Sequence, residues 1–166
     1  MNFEEILKKL TEKLGAEDLK AVTDQAGDPY VLVPAAKIVE ILSFLKTEPS
    51  LSFETLSNLT GVDAPPDELD VVYHLFSYTQ EHSFTLKVRV PKSAAKVSTV
   101  EGLYPGANWL EREAYDLLGV VFEGHSDLRR ILLPDDWEGH PLRKDYEPKE
   151  DYHGIETTRP SLLGTP

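Results

Sequence analysis

The chain has 166 residues, no cysteine and a formal net charge of −12. Its length fits one domain, and a compact fold of this size should bury about 70% of the surface of its unfolded chain. The lack of cysteine excludes a thiolate zinc site, a cysteine-ligated iron–sulfur cluster, a thiol nucleophile and disulfide bonds. The acidic balance argues against a nucleic-acid-binding surface and favours partners that present basic surfaces.

The hydropathy pattern contains no targeting or membrane-spanning segment. Residues 1–14 alternate charged with apolar side chains and lack the apolar core of a signal peptide. The longest apolar runs are a few residues, whereas a spanning helix needs about 20. We therefore expect the chain to be made and kept in the cytoplasm, and to reach a membrane only through a partner.

The first part of the chain predicts helix, strand, strand and helix. Residues 19–22 and 30–33 predict the strands, and Pro34 opens the second helix. Asn2 is the expected N-cap of the first helix, and Gly15 is its stop signal. The apolar residues of that helix recur at helical spacing and are Phe3, Ile6, Leu7, Leu10 and Leu14.

The central part predicts a short third helix and then a hairpin. The helix lies around residues 53–59 and ends at Gly61, because apolar residues again recur at helical spacing. Residues 69–78 and 83–90 predict strands, the second with strict apolar–polar alternation. Helices and hairpins interleave without a regular βαβ repeat. The expected class is therefore α+β, a two-layer domain of helices on a mainly antiparallel sheet.

The last third predicts one more helix and an extended C-terminal arm. Residues 108–118 form the helix, and residues 119–133 are strand and loop. Five of the twelve prolines fall in residues 134–166, which have few aliphatic side chains. We expect residues 1–133 to form the α+β domain and residues 134–166 to be an arm that docks on partner subunits.

The residues that could carry chemistry form no local catalytic or metal motif. Five histidines occur without a His-x-x-x-His or HExxH spacing, and they are His74, His82, His125, His140 and His153. No Gly-x-Ser-x-Gly turn or phosphate-binding glycine loop is present. Asp135-Asp136 could serve as acid and base or could be a solvated turn. A free-standing hydrolase using His125 and this acidic pair therefore stays an alternative.

Arginine is concentrated towards the C-terminus. Five of the six arginines follow residue 100, and they are Arg112, Arg129, Arg130, Arg143 and Arg159. Arginine suits planar ion pairs at interfaces, whereas lysine suits solvated surface. Composition alone leaves two interpretations open: these arginines face a partner, or they tie the tail to carboxylates of the same domain.

The same region resembles a known family. The matching residues, in order and spacing, are Glu111-Arg112-Glu113, Asp116-Leu117-Leu118, His125, Arg129, Ile131 and Leu132, flanked by Asn108-Trp109 and by Pro141-Leu142-Arg143-Lys144-Asp145-Tyr146. This pattern resembles the signature of the respiratory complex I 30 kDa subunit family over about residues 108–146. Ser126 and Glu147 stand where the family commonly has proline, which affects only local turns.

The resemblance implies a non-catalytic, hydrophilic peripheral-arm subunit of proton-translocating NADH-quinone oxidoreductase (complex I). Such a subunit binds no cofactor itself, and FMN, iron–sulfur clusters, NADH and quinone belong to other subunits. Its implied partners are chiefly the large quinone-site (D) subunit and the (B) subunit with the terminal iron–sulfur cluster, on the cytoplasmic side of the cell membrane. An equivalent subunit of a membrane-bound nickel–iron hydrogenase or of a ferredoxin-fed complex I-like enzyme stays an alternative.

Within that resemblance, a charged cluster beside an apolar helix face becomes the expected docking surface. No catalytic, cofactor-binding or metal-binding residue is expected in this chain. The residues expected to contact partners are Glu111, Arg112, Glu113, Asp116, His125, Asp127, Arg129, Arg130, Arg143, Lys144 and Asp145.

Overall fold

The computed structural model describes residues 1–23 and 27–157. The α-helices are Phe3–Leu14 (α1), Ile38–Thr47 (α2) and Ala107–Leu118 (α3). The strands are Lys20–Val22 (β1), Tyr30–Val33 (β2), Thr55–Ala64 (β3), Glu68–Ser77 (β4), His82–Pro91 (β5), Lys96–Ser98 (β6), Val121–Glu123 (β7), Asp151–Tyr152 (β8) and Ile155–Glu156 (β9). Short 3-10 helices at Ala35–Lys37 and Lys92–Ala94 precede α2 and follow β5.

One five-stranded sheet carries the fold, with strand order β1-β2-β5-β4-β3. Neighbouring strands are antiparallel except β2 and β5, which run parallel. Side chains alternate between the two faces of a strand, and the core residues of β2, β4 and β5 share one face with those of the three helices. The expected α+β class, with helices layered on a mainly antiparallel sheet, is confirmed.

Helix α1 begins where the sequence predicts. Asn2 accepts a hydrogen bond from the Glu5 N–H, and the Glu5 carboxylate accepts one from the Asn2 N–H. This capping box satisfies two of the amides that a helix start leaves without partners. Ile6 and Leu10 are fully buried, so the helix lies with its apolar stripe on the sheet.

The hairpin formed by β4 and β5 confirms the two predicted strands to within one residue at each end. Its register pairs Val71 with Val88 and Tyr73 with Leu86, so apolar side chains meet directly across the strands. All four side chains are completely buried. The hairpin therefore forms the centre of the sheet.

The predicted helix around residues 53–59 is wrong, because this segment enters β3, the edge strand. The pairing of β3 with β4 slips by one residue between Leu56 and Asn58. This β-bulge brings Leu56 and Leu59 to the same face of the sheet, opposite Leu75 and Tyr73. Their spacing of three residues therefore imitates a helix, although the backbone is extended.

The C-terminal part differs from the expectation in detail. The predicted helix over residues 108–118 is confirmed as α3, and β7 pairs in parallel with β6. The extended arm is not confirmed: residues 134–157 form turns, bends and the two-residue strands β8 and β9. Residues 158–166, with Arg159, lie outside the described residues. The domain boundary at residue 133 stays a prediction. No helix within the described ranges is long and apolar enough to span a membrane.

Candidate functional site

Helix α3 lies directly against the edge strand β3. Its inner face buries Ala114 and Leu118, and these two side chains lie above Gly61 of β3. A Cβ atom added at Gly61 would stand 2.4 Å from Leu118 Cδ1 and 3.8 Å from Ala114 Cβ. Glycine at this position therefore lets the helix pack closely on the strand.

The carboxylate of Asp116 holds the chain that follows β7. Its side chain is fully buried, and Oδ2 accepts from the N–H groups of Ile131, Leu132 and Leu133 at 3.0, 2.8 and 2.9 Å. Oδ1 accepts from Arg130 at 2.7 Å. Burial alone would raise the Asp116 pKa, but the three amides and the guanidinium hold it below its usual value. Asp116 is thus ionised at neutral pH and fixes three consecutive backbone amides.

The C-terminal end of α3 is capped by side chains and amides from later in the chain. A helix leaves its last four carbonyls without partners inside the helix. The backbone carbonyl of Asp116 accepts from His140 Nδ1 at 2.9 Å, and that of Leu117 accepts from the Leu142 N–H at 3.1 Å. The backbone carbonyl of Leu118 accepts from Arg143 Nε at 2.6 Å. Burial lowers the pKa of His140, which favours the neutral ring with its proton on Nδ1.

Two arginines complete this set of contacts. Arg112 is buried and donates to the carbonyls of Arg129 and Arg130 at 3.2 and 3.3 Å. Arg130 donates further to the carbonyls of Trp137 and Gly139 at 3.0 and 3.1 Å. We call the five side chains that fasten residues 124–146 to α3 the α3 hub: Arg112, Asp116, Arg130, His140 and Arg143.

Glu111 forms a second buried contact, on the other side of α3. Its carboxylate accepts from the Val100 N–H at 2.8 Å and from the Thr99 hydroxyl at 2.5 Å. Burial raises the pKa of Glu111, and these two hydrogen bonds only partly oppose the effect. Glu111 thus joins α3 to the loop that follows β6 in the same chain.

The structure gives the residues of the hydrolase alternative separate partners. His125 Nε2 donates to the Asn108 carbonyl at 3.1 Å, and its Nδ1 accepts from the Asp127 N–H at 2.9 Å. In the Asp135-Asp136 pair, Asp136 instead contacts His153 at 2.7 Å. These contacts use both ring nitrogens of His125 for structure and provide no base for a nucleophile.

The eleven expected docking residues fall into two groups. Six have side chains bonded within their own chain and buried or half-buried: Glu111, Arg112, Asp116, His125, Arg130 and Arg143. Five lie at exposed positions: Glu113, Asp127, Arg129, Lys144 and Asp145. The Arg130–Asp116 pair shows that this arginine ties the later chain to a carboxylate of the same domain. Contact of any of the eleven with a partner stays a prediction.

Sequence reasoning placed three apolar residues in the family pattern but gave them no docking role, although their side chains are exposed beside the hub. Trp109, Leu132 and Leu142 are 63%, 61% and 57% exposed; exposed apolar side chains become informative where they form one patch. The available signal was the position of Trp109 on α3, opposite the buried face of the helix. Leu132 and Leu142 have irregular backbone, so no periodicity marked them.

The acidic and histidine side chains do not gather into a metal-binding cluster. Within residues 1–23 and 27–157, no group of three or more His, Asp or Glu side chains could hold a metal ion. The expectation that this chain binds no cofactor stays a prediction.

Sequence comparisons point to one family. The family model described as "Respiratory-chain NADH dehydrogenase, 30 Kd subunit" matches residues 31–152. A relative from Roseiflexus sp. (strain RS-1) is 49% identical over 121 residues, which cover 72% of this chain and 70% of the relative. One from Geobacter metallireducens is 45% identical over 141 residues and covers 83% and 85%. Both relatives are named as the C subunit of NADH-quinone oxidoreductase.

Two solved structures share the fold. A chain from the membrane-bound sulfane sulfur reductase, an archaeal respiratory membrane complex, matches with a TM-score of 0.70 and 32% identity over 87% of this chain and 85% of that one. A trypsin-resistant fragment of Nqo5 matches with a TM-score of 0.63 and 30% identity, and the match covers 77% of this chain and all of the fragment.

Proposed function

The chain belongs to the respiratory-chain NADH dehydrogenase 30 kDa subunit family and is therefore a subunit of an oxidoreductase complex, and we propose that it is the complex's non-catalytic scaffold. In this proposal it holds the quinone-site subunit and the iron–sulfur subunit in the peripheral arm of NADH-quinone oxidoreductase. Electrons pass from NADH to quinone through those and other subunits, and this chain keeps their relative position.

The α3 hub is the observation that carries the proposal. Burying a charge is costly unless it is paired and hydrogen-bonded, and here Asp116 and Arg130 are paired and bonded to backbone. Their contacts give residues 124–146 a fixed shape although these residues contain no helix or strand. A long irregular segment held in one shape is typical of a functional surface rather than of a linker.

The proposal includes the location of cofactors and of the chain. FMN, the iron–sulfur clusters, NADH and quinone would all be held by other subunits, and this chain would contribute only rigidity. It would lie peripherally on the cytoplasmic side of the membrane, attached through its partners. The family membership supports this location, as does the shared fold with a chain of a respiratory membrane complex.

The likeness to the sulfane sulfur reductase chain keeps a second candidate open. A fold with 32% identity serves in a respiratory membrane complex whose name gives another reaction. The second candidate is therefore an equivalent scaffold in a membrane-bound nickel–iron hydrogenase or in a ferredoxin-fed complex, which would rest on the same fold and the same α3 hub. Relatives at 45–49% identity named for the NADH-quinone enzyme favour the first candidate.

The test is a pull-down of the tagged full-length chain from detergent-solubilised native membranes. Mass spectrometry identifies the co-purified subunits, and the same eluate is assayed for NADH:quinone activity. Recovery of the quinone-site and iron–sulfur subunits together with an NADH-binding flavoprotein and activity supports the proposal. Hydrogenase subunits support the second candidate, and a chain that elutes alone contradicts both.

A further inference from the structure

We propose that Trp109, Leu132 and Leu142 form one docking surface for a protein partner whose contact face combines an apolar recess with basic side chains. This inference rests on the proposed function and adds to it a specific surface and the chemistry of the partner. We call these three residues the apolar triplet.

The triplet occupies one side of the molecule. Trp109 and Glu113 are one turn apart on the outward stripe of α3. At about 100° per residue, this stripe lies between the flank of Asp116 and the flank of Leu117. The Leu132 N–H is bonded to Asp116 and the Leu142 N–H to Leu117. Leu132 and Leu142 are therefore anchored on the two flanks of the C-terminal part of this stripe, about two turns from Trp109.

The apolar surface continues beyond the triplet. Leu142 lines a shallow groove together with Leu110, Glu113 and Leu117. Leu110 and Leu117 are half-buried, so they form the floor of this groove rather than its edge. Contiguous exposed apolar surface with a polar rim is typical of a protein–protein contact.

The hub holds this surface in place before a partner arrives. The Arg112 guanidinium lies 5.1 Å from the centre of the Trp109 ring and is itself bonded to two backbone carbonyls. The backbone of Leu132 is fixed by the buried Asp116 carboxylate. Because these groups are already ordered, binding loses little conformational entropy. A tryptophan contributes most to the binding free energy of an interface under this condition.

The surrounding charge selects the partner. Glu113 is exposed within the patch, and residues 124–157, which contain Leu132 and Leu142, carry nine Asp or Glu against five Lys or Arg. An acidic rim attracts a basic face and repels another acidic one. A second copy of this chain would bring the same rim and a net charge of −12, and an anionic membrane surface would be repelled as well.

A competition experiment tests the surface while the native complex stays intact. Cells express the untagged chain together with a tagged variant, and the complex is isolated from solubilised membranes by native electrophoresis. The measured quantity is the ratio of tagged to untagged chain in the complex, divided by the same ratio in the whole extract. We expect Trp109→Ser and Leu142→Ser each to lower this value at least about tenfold.

The control is Tyr78→Ser, which removes an aromatic side chain of similar exposure, 69%, at the β4–β5 turn. It should compete like the tagged wild-type chain. Circular dichroism and thermal melting of the isolated full-length variants should match the wild type, because the removed side chains are exposed. Glu113→Lys should also compete poorly, since it places a positive charge against a basic partner.

The outcomes separate this inference from the proposed function. A tagged wild-type chain that never enters a membrane complex contradicts the proposed function itself. A wild-type chain that enters while Trp109→Ser and Leu142→Ser compete equally well refutes the surface alone. If Glu113→Lys competes better than the wild type, the partner's contact face is not basic. If the tagged chain is found only with the untagged chain, in a species smaller than the complex, the surface serves self-association instead.

Discussion

Removing the Asp116 carboxylate should release the segment that it holds. In Asp116→Ala, Arg130 loses its buried acceptor at 2.7 Å, and three backbone amides lose theirs at 2.8–3.0 Å. Breaking one side of a buried ion pair costs about 3–5 kcal/mol. The three hydrogen bonds are only partly buried, so water can hydrate part of what is freed, and we expect a loss near the lower end, about 3 kcal/mol. That is a large fraction of the roughly 5–15 kcal/mol that typically stabilises a domain.

Guanidinium unfolding and trypsin cleavage of the full-length chain measure this effect. The midpoint of unfolding should fall, and cleavage after Arg130 should accelerate at least about tenfold, because the released segment is open to the protease. Asp127→Ala is the matched control, since its carboxylate is exposed and pairs with the exposed Arg129. Unchanged unfolding and unchanged cleavage in Asp116→Ala would show that the hub does not hold the segment.

Three further substitutions test the buried groups around the hub. Burial raises the Glu111 pKa, so the folded chain binds this proton more tightly than the unfolded chain. The stability of the wild type relative to Glu111→Gln should therefore fall in urea melts as pH rises above about 4.5. Burial lowers the His140 pKa, so the stability of the wild type relative to His140→Gln should decrease in the same melts as pH falls below 6.5. Gly119→Ala should cost about 1–2 kcal/mol in guanidinium unfolding, because φ is +76° there and a Cβ would lie 2.6 Å from Arg143 Nη2.

Each of these has a control on an exposed or open position. Glu113→Gln and His153→Gln change side chains at the surface, where a single charge or ion pair contributes little to stability, so both should leave the unfolding midpoint nearly unchanged. Gly102→Ala adds a Cβ where no atom lies within 4 Å, so it should leave the unfolding midpoint nearly unchanged. If the difference in stability between Glu111→Gln and wild type stays constant as pH rises from 4.5 to about 8, folding does not raise the Glu111 pKa.

Local sequence patterns predicted the elements whose packing follows one regular period. Helix α1 has its cap and stripe within its own sequence, and β5 alternates strictly, so both followed from residues close along the chain. Strand β3 did not, because its bulge between Leu56 and Asn58 shifts the apolar residues to helical spacing. Bulges depend on the partner strand, which a single segment does not reveal.

The candidate site was predicted in composition but not in arrangement. The expected docking set contained Arg112, Asp116 and Arg130, but it did not say how they pair. In the structure, Asp116 pairs with Arg130, fourteen residues away. Arg112 donates to backbone carbonyls. These contacts depend on how irregular chain folds back on the helix end, and no periodicity encodes that path.

The structure also separates two roles that the motif had combined. The buried and half-buried charged residues of the motif, among them Asp116 and Arg143, cap α3 and hold irregular backbone. The apolar side chains beside them face outward, with Trp109, Leu132 and Leu142 all more than half exposed. A partner would thus meet an apolar surface that the buried charges of the motif hold in place, with the exposed Glu113 within it. Asp116→Ala and Trp109→Ser should therefore both weaken assembly, but only Asp116→Ala should also destabilise the isolated chain.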